Sequence, residues 1–95
     1  MKKLNNEEIE KELADLSGWQ VDGGKLFREF VFDTFPRAFG FMASVALLSE
    51  AMNHHPEWFN VYTTVRIWLN SHEVAGISDN DILLARKISS LAGAA

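Results

Sequence analysis

Cysteine is absent from this 95-residue sequence, which excludes disulfides and any metal site built on thiolates. The absence assigns no compartment, since a protein of the reducing cytosol needs no disulfide. Positive charge is in deficit: nine Lys and Arg face thirteen Asp and Glu, a formal charge of −4. No basic run breaks this balance, so direct nucleic-acid binding is not expected. Nor does any stretch reach the roughly 18 consecutive apolar residues of a membrane span. The opening residues, MKKLNNEEIEKELADL, pass from two lysines into acidic positions without an apolar segment, so no secretion signal is expected. These absences predict a soluble cytoplasmic protein.

What is present is core-forming material. Hydrophobic residues make up 47% of the chain and aromatic residues 12%, which excludes a disordered composition. With no linker, repeat or low-complexity stretch, residues 1–95 read as one domain. A domain this small buries a modest share of its surface, so oligomerisation would help it.

Asn5 or Asn6 can cap a first helix, with Glu7 and Glu8 at its positive end and Ile9, Leu13 and Leu16 at helical spacing. Ser17-Gly18 ends it. Residues 19–21 and 25–32 are β-prone on either side of Asp22-Gly23-Gly24, a hairpin signal. In the second strand Leu26, Phe30 and Phe32 share a face, with Arg28 the exception on it. Thr34 or Phe35 and then Pro36 open a second helix that should run to about Met52. It carries two apolar stripes: Phe35, Phe39, Met42 and Ala46, and Phe41, Val45, Leu48 and Met52. One stripe suffices for a surface helix. The second means either deeper burial or a contact with another subunit.

Residues 58–70 alternate in β-prone fashion but are long for one strand, so a break is expected near Tyr62-Thr63-Thr64. Ser78 caps a last helix with Asp79 and Asp81 in its first turn and Ile82, Ala85, Ile88 and Leu91 on its apolar side. Residues 92–95 are expected to fray. The order α-β-β-α-β-β-α, with strands in hairpins, predicts an α+β fold on an antiparallel sheet.

The chemistry-bearing stretch is Glu50-Ala51-Met52-Asn53-His54-His55-Pro56. Glu50 and His54 are four apart and could meet on one helix face, where the carboxylate would hold an imidazole proton. Taken alone, a His-His pair is an ordinary solvated loop. His72, flanked by Ser71 and Glu73 at a strand end, makes a site more plausible, since such ends commonly hold functional groups. Asp81 stands where a capping box with Ser78 would place it, and that reading alone accounts for it. Trp58 and Tyr62 read first as core or interface aromatics, though either could wall a flat ring pocket.

Glu50, His54-His55-Pro56, Tyr62, His72 and Asp81 at this spacing, with the stretches HHPEWFNVY and SHEVAGISDNDILLARKI, resemble the signature of the pterin-4a-carbinolamine dehydratases. The resemblance spans essentially the whole chain. It implies a four-stranded antiparallel sheet with helices on one face, and dimers or tetramers formed through the second helix. It implies a hydro-lyase that converts 4a-hydroxytetrahydropterin, the by-product of aromatic amino-acid hydroxylation, to quinonoid dihydropterin without metal or organic cofactor. By similarity His54, His55 and His72 line the pterin site, with Asn53, Asn70, Ser71, His72 and Glu73 contacting the ring. Dehydration needs a proton given to the leaving hydroxyl and one lost from N5, both suited to imidazole near neutral pH. His54 and His72 are the expected proton donors and acceptors, His55 a binding residue, and Glu50 a group that orients a histidine. One departure stands out: the family often has an acidic residue just before the His pair, where this chain has Asn53.

Three rival readings stand beside this one, the second of them resting on the two-striped helix. Three histidines with an open position could hold catalytic zinc. The fold could serve as an interaction module, as in family members that partner a transcription factor. The site could act on another pterin, including those of molybdenum-cofactor metabolism.

Overall fold

A computed structural model describes residues 1–94. The elements are α1 (Asn6–Leu13), β1 (Gln20–Asp22), β2 (Lys25–Val31), α2 (Phe35–Met52), β3 (Glu57–Val61), β4 (Thr64–Leu69) and α3 (Asp79–Ala94), with a 3-10 turn at His72–Val74. This is the expected order. The strands form one antiparallel sheet, β1-β2-β4-β3, and the fold is α+β.

Both hairpins follow from local backbone chemistry. Asp22 pairs with Lys25, and Gly23 and Gly24 both have positive φ (58° and 78°). Two such residues make the turn whose twist suits a two-residue hairpin. In the second hairpin Val61 pairs with Thr64, so the expected break falls at Tyr62-Thr63. Tyr62 takes a φ of 53°, which costs a non-glycine residue about 1 kcal/mol. Asn60 offsets that cost: its Nδ2 donates to the carbonyls of Tyr62 at 3.1 Å and Thr64 at 2.8 Å. The turn is thus tied by a residue inside β3, and needs no Gly or Asn of its own.

Strand alternation divides the sheet into two faces. Leu26 and Phe30 of β2 and Val65, Ile67 and Leu69 of β4 are buried beneath α2 and α3. Arg28 lies on the same face, its guanidinium 4.4 Å from the centre of the Phe30 ring and donating to Ser89 Oγ at 3.1 Å. Burial lowers its pKa from the ordinary value. The Trp19 indole, buried just ahead of β1, donates to the same hydroxyl at 2.8 Å. The other face is polar and aromatic, with Phe27 and Trp68 in contact at 5.0 Å and Arg66 paired to Glu29.

The two stripes of α2 have different fates. Phe41 and Val45 are buried, with Leu48 and Met52 partly so. Phe35 and Phe39 on the other stripe are 43% and 60% exposed, and Leu47 is 75% exposed. Met42 of that stripe is partly buried against the core, but deeper burial within one chain does not account for Phe35 and Phe39.

Ser49 sits on the packed side, 1% exposed, and its Oγ has no hydrogen-bond partner among the described residues. A buried, unsatisfied hydroxyl is a net cost, so Ser49→Ala is expected to stabilise the fold by about 1 kcal/mol. Thermal unfolding checks this, and a lower midpoint would contradict it.

A contact with no sequence pattern holds the start of α3. The Leu4 amide donates to the Ile77 carbonyl at 2.9 Å, and the Asp79 amide to the Lys2 carbonyl at 3.0 Å. The Lys2 amide returns a bond to Asp79 Oδ1 at 2.9 Å, which is the main reason the Asp79 carboxyl lies below its ordinary pKa. The loop that carries Ser78 is therefore clamped from the N-terminus. At the other end, residues 92–94 continue α3 instead of fraying, and the expectation for Ala95 lies outside the described residues.

Candidate active site

α2 ends in a Schellman turn. Asn53 is left-handed (φ 49°, ψ 45°), its amide donates to the Glu50 carbonyl at 3.1 Å, and the His54 amide donates to the Ser49 carbonyl at 3.0 Å. Asn is one of the few residues besides Gly that enters this conformation readily. Asn53 therefore suits the backbone that ends the helix.

The reversal also changes which histidine meets Glu50. His54 leaves the helical row and turns inward, to 7% exposure. His55 takes the place expected of it, with Nε2 at 2.8 Å from Glu50 Oε1. The anticipated Glu50–His54 pair does not form. Both members of the Glu50–His55 pair are exposed, so it orients the ring more than it stabilises the fold. Asn53→Val, which forces a β-branched residue into the left-handed region, is expected to cost about 1–2 kcal/mol and to move the His54 ring. Asn53→Gly is expected to be nearly neutral. Unfolding free energies and the His54 NMR resonances check both.

The β3–β4 hairpin brings the second half of the site alongside. Its strands are antiparallel and its turn lies at Tyr62-Thr63, so the residues preceding β3 and those following β4 share the opposite end of the sheet. Residues 53–56 and 70–73 are thereby neighbours. After Asn70 the chain closes on itself: the Ser71 amide donates to the Gly76 carbonyl at 2.7 Å, and the Ser71 carbonyl accepts from Gly76 and Val74, both at 3.2 Å. His72 and Glu73 are carried on this loop, exposed; the His72 carbonyl accepts from the Ala75 amide at 3.1 Å, and its imidazole has no hydrogen bond or ion pair among the described residues.

Inside this end lies a buried polar cluster. His54 Nε2 is 2.5 Å from Asp81 Oδ1. Asp81 is 0% exposed. Its Oδ2 accepts from Ser71 Oγ at 2.8 Å and from the Ser78 amide at 2.8 Å. Ser71 Oγ is 2.7 Å from Ser78 Oγ, which accepts from the Asn80 amide at 3.2 Å. The helix-capping role expected of Asp81 is present, since Oδ2 receives the Ser78 amide. It occupies only one oxygen; the other holds a histidine 27 positions away.

Other expected site residues divide by geometry. Ser71 was expected against the ring, but its hydroxyl, amide and carbonyl are all engaged within the protein. Asn70 and His72 on either side of it remain placed at the cluster's edge, as does half-buried Pro56. Trp58 lies on the helix-covered face opposite Ile67, 37% exposed. Tyr62 lies at the far end of β3, about 16 Å from Glu57 at roughly 3.3 Å per residue, and is 68% exposed. Within one chain it does not reach the histidines. Ser78 was read only as a cap, and its side chain proves to be part of the cluster. No three His, Asp or Glu side chains converge as metal ligands among the described residues.

The family model described as pterin 4 alpha carbinolamine dehydratase matches residues 2–91. The chain belongs to the pterin-4a-carbinolamine dehydratase family. A protein of Solibacter usitatus named for pterin-4-alpha-carbinolamine dehydratase is 51% identical over 90 residues, covering 95% of each chain. One of Prochlorococcus marinus, named likewise, is 50% identical over 93% of this chain and 92% of its own. Among solved structures, a transcriptional coactivator/pterin dehydratase of Brucella melitensis superposes with a TM-score of 0.93 at 45% identity, over 97% of this chain and 100% of its own. A pterin dehydratase-like RuBisCO assembly factor of the alpha-carboxysome superposes with a TM-score of 0.67 at 26% identity, over 79% of this chain and 87% of its own. The dehydratase fold thus occurs in proteins named for roles in assembly and transcription as well as for catalysis.

Proposed function

We propose that the chain is a hydro-lyase that dehydrates a 4a-hydroxytetrahydropterin to the quinonoid dihydropterin by histidine acid–base chemistry in the cytoplasm. The observation that carries this reading is the buried His54–Asp81 pair, set beside two exposed histidines at one end of the sheet. A carboxylate that holds one imidazole nitrogen leaves the other free to exchange protons. His54 and His72 move the protons: one is delivered to the departing 4a-hydroxyl, which leaves as water, and one is taken from N5. The electron pair of N5 then forms the N5–C4a double bond. His55, held by Glu50, binds the pterin, with Asn53, Asn70 and Glu73 at the rim.

The test is a dehydration assay with 4a-hydroxytetrahydropterin and the purified wild-type chain, with and without a chelator. Acceleration in proportion to protein, unchanged by chelation, is expected. Loss of rate on chelation would instead favour the three-histidine metal site, and no acceleration at all would refute the hydro-lyase.

A second reading rests on the unpacked side of α2, where Phe35, Phe39 and Leu47 are exposed. A second copy packed there would give a homodimer or tetramer. Phe39→Glu should then lower the mass measured by light scattering, and an unchanged monomeric mass in the wild type would contradict it. The same face in a non-enzymatic module would bind a partner while the dehydration assay stayed silent.

A further inference from the structure

We propose that Ser71 and Ser78 are positioning residues that engage Asp81 Oδ2, hold the proton on His54 Nε2, and so make Nδ1 the nitrogen that exchanges protons. The direction of every hydrogen bond in the cluster follows from counting protons. The Ser71 hydroxyl has one proton, donated to Asp81 Oδ2 at 2.8 Å. Its 2.7 Å contact with Ser78 Oγ must then be made with the proton of Ser78. Ser78 Oγ in turn accepts from the Asn80 amide. The chain runs one way, from the α3 backbone through two hydroxyls to the carboxylate.

Oδ2 receives a second donor, the Ser78 amide at 2.8 Å. Two donors leave Oδ2 no room for a proton of its own. The proton between Oδ1 and Nε2 then belongs to imidazole, the stronger base of the two. Ser71 Oγ is also 3.5 Å from Nε2, but its proton is already committed to Asp81, so it gives His54 nothing to accept. Nδ1 has no partner among the described residues and carries the lone pair. It takes a proton as a base and returns it as imidazolium, with Asp81 facing the positive charge. Without the Ser71 hydroxyl, Oδ2 keeps only the Ser78 amide, and the proton drifts toward Oδ1. The pair then takes up a second proton from solvent on Nδ1, which has no lone pair left to act as a base.

The catalytic half of this inference rests on the dehydration proposed above, whereas the tautomer does not. The experiment is nitrogen-15 NMR of histidine-labelled full-length protein at neutral pH, combined with steady-state kinetics. In the wild type, His54 is expected to show a protonated Nε2 and an unprotonated Nδ1. Ser71→Ala should move the Nε2 resonance toward the unprotonated value and lower kcat about ten-fold, with KM within about two-fold. Ser71→Thr, which keeps the hydroxyl, should restore both. Ser78→Ala, which removes the donor to Ser71, should shift Nε2 the same way by less, and it serves if Ser71→Ala does not fold. A wild-type His54 protonated on Nδ1 would overturn the inference. So would unmoved resonances in both alanine variants, or a folded Ser71→Thr that stays impaired. If the wild type proves inactive on pterins while the Nε2 shift occurs, the positioning role stands and the proposed reaction falls.

Discussion

Asp81→Asn is expected to lower kcat by roughly 10³- to 10⁴-fold, the scale of placing a catalytic imidazole in the wrong tautomer. The substitution is nearly isosteric, so the loss has an electronic origin. The Ser71 hydroxyl and Ser78 amide both donate to Oδ2, and only the amide oxygen of Asn can accept from them. The Asn NH2 group is thereby turned toward His54 Nε2. Two donors cannot face each other, so Nε2 gives up its proton and Nδ1 takes it. The free lone pair disappears from the side of the ring that remains available. Stability should suffer less, because two of the three hydrogen bonds are retained in kind and the third is reversed. A midpoint lowered by no more than about 10 °C is expected. Kinetics and thermal unfolding on the same preparation check the pair of outcomes. An active variant, or one that simply unfolds, would contradict the account.

His72→Ala is expected to cost about 10²- to 10⁴-fold in kcat, the usual contribution of a positioned acid or base. Unlike His54, His72 stands exposed on the closed loop after β4, its imidazole without a partner among the described residues. Imidazole added to solution can reach the space its ring leaves. Partial recovery that rises with imidazole concentration is therefore expected for His72→Ala. His55→Ala should act mainly on KM, since that ring is held at the rim by exposed Glu50. A His72→Ala enzyme with wild-type kcat would remove it from proton transfer.

The fold was legible where a local backbone demand writes itself into residue type. Gly23-Gly24 signalled its own hairpin, and Ser78 with Asp81 signalled the start of α3. The break at Tyr62 was readable only from strand length, because the device that stabilises it, Asn60, lies inside β3 and looks like a strand residue. The clamp of residues 2–4 on residues 77–79 left no trace, since backbone pairing carries no side-chain pattern.

The site was legible as a set of residues more than as a set of pairs. Helical spacing matched Glu50 with His54, but the left-handed Asn53 ends that register one residue earlier and gives Glu50 to His55. The partner of His54 could not be found by spacing, because Asp81 reaches it only after the chain has passed through the whole β3–β4 hairpin. Asp81 was also masked by a sufficient local explanation. A capping carboxylate has two oxygens, and the cap accounts for one of them. The bonds Ser71 makes to Asp81 and Gly76 had no signal in the spacing either.

The central claim is that His54 moves protons in a pterin dehydration. It is tested most directly by measuring the initial rate of 4a-hydroxytetrahydropterin loss with wild type and with His54→Ala at equal concentrations. The wild type should accelerate the reaction, and His54→Ala, folded by circular dichroism, should fall close to the uncatalysed rate. A folded His54→Ala that keeps the wild-type rate would contradict the account.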